Sequence, residues 1–199
     1  MAGPSMKAES TRDLIIASAD QLFYQQGYQH TSFSDIAGAV QISRGNFYHH
    51  FKTKDEILDA VIDARLANVQ AMLDEWDAEW SAPVDRLKRF AQMLVTNRSK
   101  IMRSGCPIGT LCTELGKLNH DAHDRANELL SLFRAWLSTQ FDALGCDAAD
   151  MLAMHLLSRT QGVAVLANAY ADERFIQREV EQIDAWLDTV AGDAMRVAG

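Results

Sequence analysis

Apolar residues recur at three- and four-residue intervals over nearly the whole chain, the period of helices that bury one face. The first stripe holds Ile15, Ala19, Leu22 and Phe23. Ser10 with Asp13 reads as a capping box at its start, and Gly27 supplies the residue that ends it. A shorter stripe, Phe33, Ile36, Ala37 and Val40, follows Ser32, whose hydroxyl can cap while Asp35 reaches back. Ser43 then caps a third helix carrying Phe47 and Phe51. Thr53 to Glu56 repeats the capping pattern. The apolar period after it, Leu58, Val61, Ile62, Val69, Met72, Leu73, Trp76 and Trp80, lasts roughly seven turns. A helix of that length exceeds what a three-helix domain needs, and it predicts a link between two domains.

Ser81 and Pro83 break the pattern, with proline near a helix start where its missing N–H does no harm. A fifth helix is expected through Leu87, Phe90, Ala91, Leu94 and Ile101, and a short sixth from Cys106-Pro107 to Gly116. A seventh runs from Asp121 to Gly145, and an eighth, capped by Asp147, continues towards Tyr170. The last carries Phe175, Ile176, Val180, Ile183, Trp186, Leu187 and Val190. No alternating strand pattern is long enough to compete. The fold class is therefore all-α, with about nine helices. Residues 1–8 read as a tag or disordered lead, 9–56 as a helix-turn-helix domain and 57–199 as a second helical bundle.

The net charge of −8 is an unpromising total for a nucleic-acid binder. The field at a contact surface, however, is set within about a Debye length, ~10 Å. Residues 28 to 54 hold Arg44, Lys52 and Lys54 against one acid, Asp35, and His30, His49 and His50 can add charge. That segment is locally basic. The three cysteines, Cys106, Cys112 and Cys146, make no metal-type pair, and no run resembles a signal peptide or a membrane span. A reducing, cytoplasmic setting is expected, away from membranes. Met1-Ala-Gly-Pro-Ser5 ahead of Met6 looks like an expression remnant. There is no glycine-rich phosphate loop, nucleophile elbow or metalloprotease helix, and Cys112, His120 and His123 fit no common zinc spacing. Neither an enzyme, a metal site nor a cofactor is expected.

The chemistry concentrates in the third helix. Phe47 and Phe51 take its inward face; Arg44, Gly45, Tyr48 and His49 face outward, with Asn46 flanking. A helix enters the major groove only if that outer face is lean and offers hydrogen-bonding groups, and Gly45 lets the backbone come close. Polar-faced helix pairs also occur in bundles that bind nothing. The run Ser32-Phe33-Ser34-Asp35-Ile36-Ala37, with Ile42 through Leu58, narrows the choice: it resembles the N-terminal motif of the TetR family of bacterial regulators. The resemblance implies a DNA-binding transcription regulator, in most members a repressor. It implies that Arg44, Gly45, Asn46, Tyr48 and His49 face the groove, that Lys54 meets a phosphate and that Ser34 can touch bases. Ser32 and Ser43 complete the expected contact set. Position 34 is often arginine in relatives, so base readout from the second helix is expected to be weaker here. Position 41 is commonly glycine and is Gln41 here, a change costing up to ~1 kcal/mol if the turn is left-handed.

In that family the second bundle binds a small effector and forms the dimer. The last two helices are apolar on more than one side, which fits packing both inward and against a second subunit, though a fully buried core pair would read the same way. Leu156, Val163, Leu166, Tyr170, Val180, Ile183 and Trp186 are the expected homodimer interface. Met93, Asn97, Cys112, Phe133, Trp136, His155 and Gln161 form a candidate effector pocket of mixed apolar and polar character; singly, each also fits ordinary core. Cys106 falls at a helix start with Pro107 behind it, where the dipole favours a thiolate and so a redox role; a small cysteine capping by shape alone is the simpler reading. The expected partners are a palindromic double-stranded operator, a small molecule and a second copy of the chain. A small-molecule carrier or a thiol-based electrophile sensor on the same scaffold is the alternative.

Overall fold

The computed structural model describes residues 10–197. Among the described residues there are ten α-helices and no strand. They are α1 (Thr11–Gln26), α2 (Phe33–Val40), α3 (Arg44–His50), α4 (Lys54–Glu79), α5 (Pro83–Thr96), α6 (Arg98–Ser104), α7 (Pro107–Lys117), α8 (His123–Ala143), α9 (Ala149–Tyr170) and α10 (Glu173–Val197). No helix among these residues is long and apolar enough to cross a membrane. The proposed lead, residues 1–8, lies outside the described residues.

The chain divides into two compact units between Ala64 and Arg65, inside α4. The expected boundary at residues 56 and 57 falls too early. Ile57, Leu58, Val61 and Ile62, in the first turns of α4, are fully buried and belong with the first unit. Burying such side chains contributes roughly 1.5–3 kcal/mol each, so those turns cannot be separated from the domain they complete.

In the first unit the cap residues act as the sequence predicts. Ser10 Oγ accepts the Asp13 N–H at 3.2 Å and the Asp13 carboxylate accepts the Ser10 N–H at 3.3 Å, a reciprocal capping box. Ser32 and Asp35 repeat it on α2 at 3.1 and 2.8 Å. At α4 the pattern is displaced: Thr53 Oγ1 accepts the Glu56 N–H at 3.1 Å, but the Glu56 carboxylate takes the Lys52 N–H at 2.6 Å. Gly27 ends α1 at φ 88°. Gln41 closes α2 in the left-handed region at φ 55°, ψ 36°, as anticipated for this turn.

The second unit packs α8 against α9, α5 against α10 and α7 against α8. Arg86 closes the end of α4 by donating to the carbonyls of Trp80 at 2.6 Å and Asp77 at 2.9 Å, and to Gln140 Oε1 at 3.1 Å. Three expectations change here. The fifth helix is two, α5 and α6, because Asn97 leaves helical geometry (φ −101°, ψ 12°) and turns its amide onto the Met93 carbonyl at 3.0 Å. Asp147 does not cap the eighth: α9 starts at Ala149 behind Ala148, which makes no side-chain cap. The α8–α9 corner is held instead by Arg134, which bonds Asp150 twice, at 2.7 and 2.6 Å. Gly116 stands inside α7 rather than ending it. The His123 ring fills the space its Cβ would need, and the positive φ falls on Asn119 at 49°.

Candidate nucleic-acid interface

The left-handed turn at Gln41 and the Ser43 N-cap make the short connection by which α3 leaves α2. Phe47 anchors α3: it is fully buried and meets the Phe33 ring edge-on, centroids 4.7 Å apart. Phe51, just beyond the helix, stays buried under the Arg12 guanidinium, which lies 5.0 Å from its ring centroid. The outward face carries the residues singled out in the sequence: Arg44, Gly45, Asn46, Tyr48 and His49 are all exposed. Arg44 has no ion-pair partner among the described residues. A Cβ at Gly45 would meet nothing within 4 Å, so the protein's own packing does not demand glycine there. Glycine costs a helix backbone entropy, and on the outward face of α3 the lean surface it leaves lets a duplex approach the backbone closely. Ser34 is also exposed, at the second position of α2. Ser32 and Ser43 are exposed N-caps, their hydroxyls already accepting helix N–H groups.

Acids near this face are tied up locally. Ser32 holds the Asp35 carboxyl below the usual carboxylate range through its hydroxyl, then its N–H. Tyr28 donates its hydroxyl to Asp55, and Glu56 is occupied by the Lys52 N–H. Lys52 donates its ammonium to the Tyr48 carbonyl. Lys54, expected to meet a phosphate, is half-buried: its Nζ donates to the Tyr28 carbonyl at 2.9 Å and stands 3.9 Å from the Tyr28 ring centroid. Tyr28 and Phe33 are the site residues that sequence reasoning missed. Phe33 reads in the sequence as one more member of the apolar stripe of α2, and Tyr28 carries no local signal of its contact with Lys54.

The expected effector residues differ in exposure and in their partners. Asn97 and His155 are exposed, the former on its own helix end and the latter against the Trp186 ring, centroids 4.9 Å apart. Phe133 packs on Phe90, and Trp136 donates its indole N–H to Asp77 at 3.1 Å beside Trp76. Cys112 is buried, its thiol donating to the Ala126 carbonyl at 3.3 Å, and burial pushes that thiol up to about 11. Met93 and Gln161 are half-buried, with the Gln161 carboxamide in the space a Cβ at Gly109 would fill. An open groove of about 780 Å³ lies elsewhere, lined by Val95, Arg98, Asp172, Glu173, Ile176 and Arg178. Cys106 is the N-cap of α7 as expected, half-buried, its sulfur accepting the Gly109 N–H at 3.4 Å.

The proposed dimer residues separate into two groups. Leu156, Val163, Val180 and Ile183 are buried in the protomer's own core and offer nothing to a partner. Trp186 is half-buried between Phe141 and His155. Leu166, 43 % exposed, and Tyr170, 76 % exposed, do face outward. Met151, Met154 and Val165, which the sequence reading left out, join them on the exposed surface of α9.

Comparison with known proteins accords with this geometry. The profile of the bacterial regulatory proteins, tetR family, matches residues 15–61. The HTH-type transcriptional repressor DhaR of Mycobacterium sp. (strain GP1) is 24 % identical over 93 % of this chain and 92 % of its own length. An uncharacterised HTH-type regulator of Lactococcus lactis is 29 % identical over 68 % of this chain and 70 % of its own. A TetR transcriptional regulator from Legionella pneumophila, 26 % identical, superposes with a TM-score of 0.81 over 90 % of this chain and 98 % of that one. With the tetR-family profile lying over α1 to the start of α4 and a fold shared with TetR regulators over nearly its whole length, the chain carries a TetR-type N-terminal DNA-binding motif and is a DNA-binding transcriptional regulator.

Proposed function

We propose that this regulator is a homodimeric, cytoplasmic repressor that holds a palindromic operator with one α3 from each subunit and releases it when a small molecule binds the second unit. The observation that carries the DNA reading is Gly45: an exposed helix position with open space where a side chain would stand, opposite a fully buried Phe47. A two-fold operator calls for a two-fold protein, and the exposed apolar residues of α9 favour a second copy as their cover. α4 supplies buried side chains to both units, Leu58 and Ile62 to one and Leu73 and Trp76 to the other, so it is the natural carrier of an effector signal. The effector must bind the DNA-incompetent state more tightly, or it shifts nothing. Selection from a random duplex library tests the core of this reading. A symmetric enriched site supports it, and enrichment of no site overturns it.

A second reading, sensing through a thiol, is favoured by Cys106. Its sulfur sits at the α7 start and is half-buried, whereas Cys112 is sealed in the core. N-Ethylmaleimide, which forms a carbon–sulfur bond at the thiol, should weaken operator binding by the native protein and not by Cys106→Ser. Equal responses leave Cys106 a structural cap.

A further inference from the structure

Tyr48 is the largest side chain on the outward face of α3, and it does not stand alone. Its ring lies 5.2 Å, centroid to centroid, from that of Phe33, tilted by 37°. Phe33 is the first residue of α2, and the Ser32–Asp35 capping box fixes the backbone on which it sits. The same Phe33 ring meets the buried Phe47 edge-on at 4.7 Å. One aromatic side chain therefore connects the immobile anchor of α3 to its most prominent exposed group. Tyr48 is 49 % exposed: one part of its surface rests on Phe33 and the rest is offered outward. Its main chain is also occupied, since the Tyr48 carbonyl accepts the Lys52 ammonium.

We propose that Phe33 is a positioning residue for base readout: it holds the Tyr48 ring in the conformation that meets the DNA bases. The inference rests on α3 being the helix that reads DNA. A free tyrosine on a protein surface samples several rotamers and loses that freedom on docking, whereas a ring already seated on Phe33 has little left to lose. Freezing one such side chain corresponds to roughly two- to twelvefold in affinity. The gain belongs to the cognate site, where Tyr48 must find a particular base edge. It is absent on unrelated sequence, where phosphate contacts dominate and carry no sequence information. Phe33 thus acts on specificity without touching DNA.

The test uses the full chain and two probes: the duplex most enriched by the native protein from a random library, and a scrambled duplex of the same composition. Phe33→Leu keeps an apolar contact on Phe47 and removes the ring that supports Tyr48. It should weaken binding to the enriched duplex by roughly three- to tenfold and leave the scrambled duplex unchanged. In a Tyr48→Ala background the same Phe33→Leu change should alter affinity by less than about twofold, since the group it positions is gone. Phe33→Tyr, which retains the ring, should keep native discrimination. Equal losses on both duplexes, an undiminished Phe33→Leu effect without Tyr48, or lost discrimination in a well-folded Phe33→Tyr would each overturn the proposal. Arg44→Ala separates the two levels of the argument. If it abolishes discrimination while Phe33→Leu does not, α3 reads DNA and Phe33 has no part in it. A native protein with no preference between the two duplexes overturns both.

Discussion

The Lys54 ammonium stands 3.9 Å from the centroid of the Tyr28 ring and donates to the Tyr28 carbonyl at 2.9 Å. The first residue of α4 is thereby fastened to the segment that joins α1 to α2, and the Tyr28 hydroxyl bonds the next residue, Asp55. A single lysine thus has two possible tasks, holding the first unit together and neutralising a phosphate. Lys54→Ala should lower the stability of the chain by about 1 kcal/mol, for a lost cation–π contact with its hydrogen bond. If Lys54 also meets a phosphate, binding should weaken alike on all sequences and the salt slope should fall by about one. Affinity titrations at several salt concentrations, beside a thermal melt, separate the tasks. A lower melting temperature with an unchanged slope would make Lys54 a clasp only.

Gly45 gives a prediction of opposite sign for folding and binding. With nothing within 4 Å of its Cβ position, Gly45→Ala fits without a clash and lowers the conformational entropy of the unfolded chain. The variant should be as stable as the native protein or up to ~1 kcal/mol more so. Its operator affinity should fall, because a methyl group then stands where the backbone approaches the duplex. A variant that is more stable and binds unchanged would remove Gly45 from the interface.

Much of the first unit is legible in the sequence because its signals are local. Ser10, Ser32 and Ser43 act within three residues of themselves, and the strain at Gln41 follows from the turn it closes. The second unit lacks such punctuation. α9 is apolar on both sides, so Leu156 and Leu166 look equivalent in sequence although one is fully buried and the other 43 % exposed. Which side faces in is decided by α8, α6 and α10 packing on it, a tertiary fact with no local signature. Asn97 and Asp147 fail for a related reason. Each is a plausible helix or cap residue by type, and the outcome turned on the Met93 carbonyl in one case and on the Arg134–Asp150 pair in the other. Of the residues chosen as an effector pocket by chemical mixture, Trp136 and Cys112 are engaged inside the second unit, by Asp77 and by the Ala126 carbonyl, which residue type alone does not reveal.

Asp184 predicts a pH dependence. Its Oδ2 accepts the Gln92 amide at 3.0 Å, while Oδ1 is buried with no hydrogen-bond partner among the described residues. Burial raises its pKa above 3.8, with Asp188 and Glu181 adding to the rise and Gln92 and Lys88 opposing it. The folded state therefore holds this proton more tightly than the unfolded chain. Stability from this group is greatest at acid pH and is lost as pH rises from the unfolded value through the folded one. Asp13 and Asp35 run the other way, lowered by their serine caps, so their contribution is present at neutral pH and lost on acidification. Comparing Asp184→Asn with the native protein cancels those caps. From about pH 4 to about pH 7 the variant should gain on the native chain by up to about 1 kcal/mol, the scale for a partly screened group. Urea melts across that range check it. A difference that stays flat with pH would show that Asp184 titrates alike in both states.

The exposed apolar residues of α9 give a test of the proposed dimer. A charge at Val163, which is 5 % exposed, enters the protomer's own core and should unfold the second unit, because an unpaired buried charge costs several kcal/mol. Val165 and Tyr170, 66 % and 76 % exposed, accept charge at no such cost. If α9 covers α9 of a second copy, Val165→Glu with Tyr170→Glu places like charges across a two-fold axis and removes apolar area on both sides at once. The doubly substituted chain should keep its helical spectrum and sediment at its own mass of 22.2 kDa, against twice that for the native protein. Operator affinity should collapse with the dimer, since one subunit reaches only one half-site. A folded variant that stays dimeric would move the interface off α9, and a native protein that sediments as a monomer would end the two-fold reading altogether.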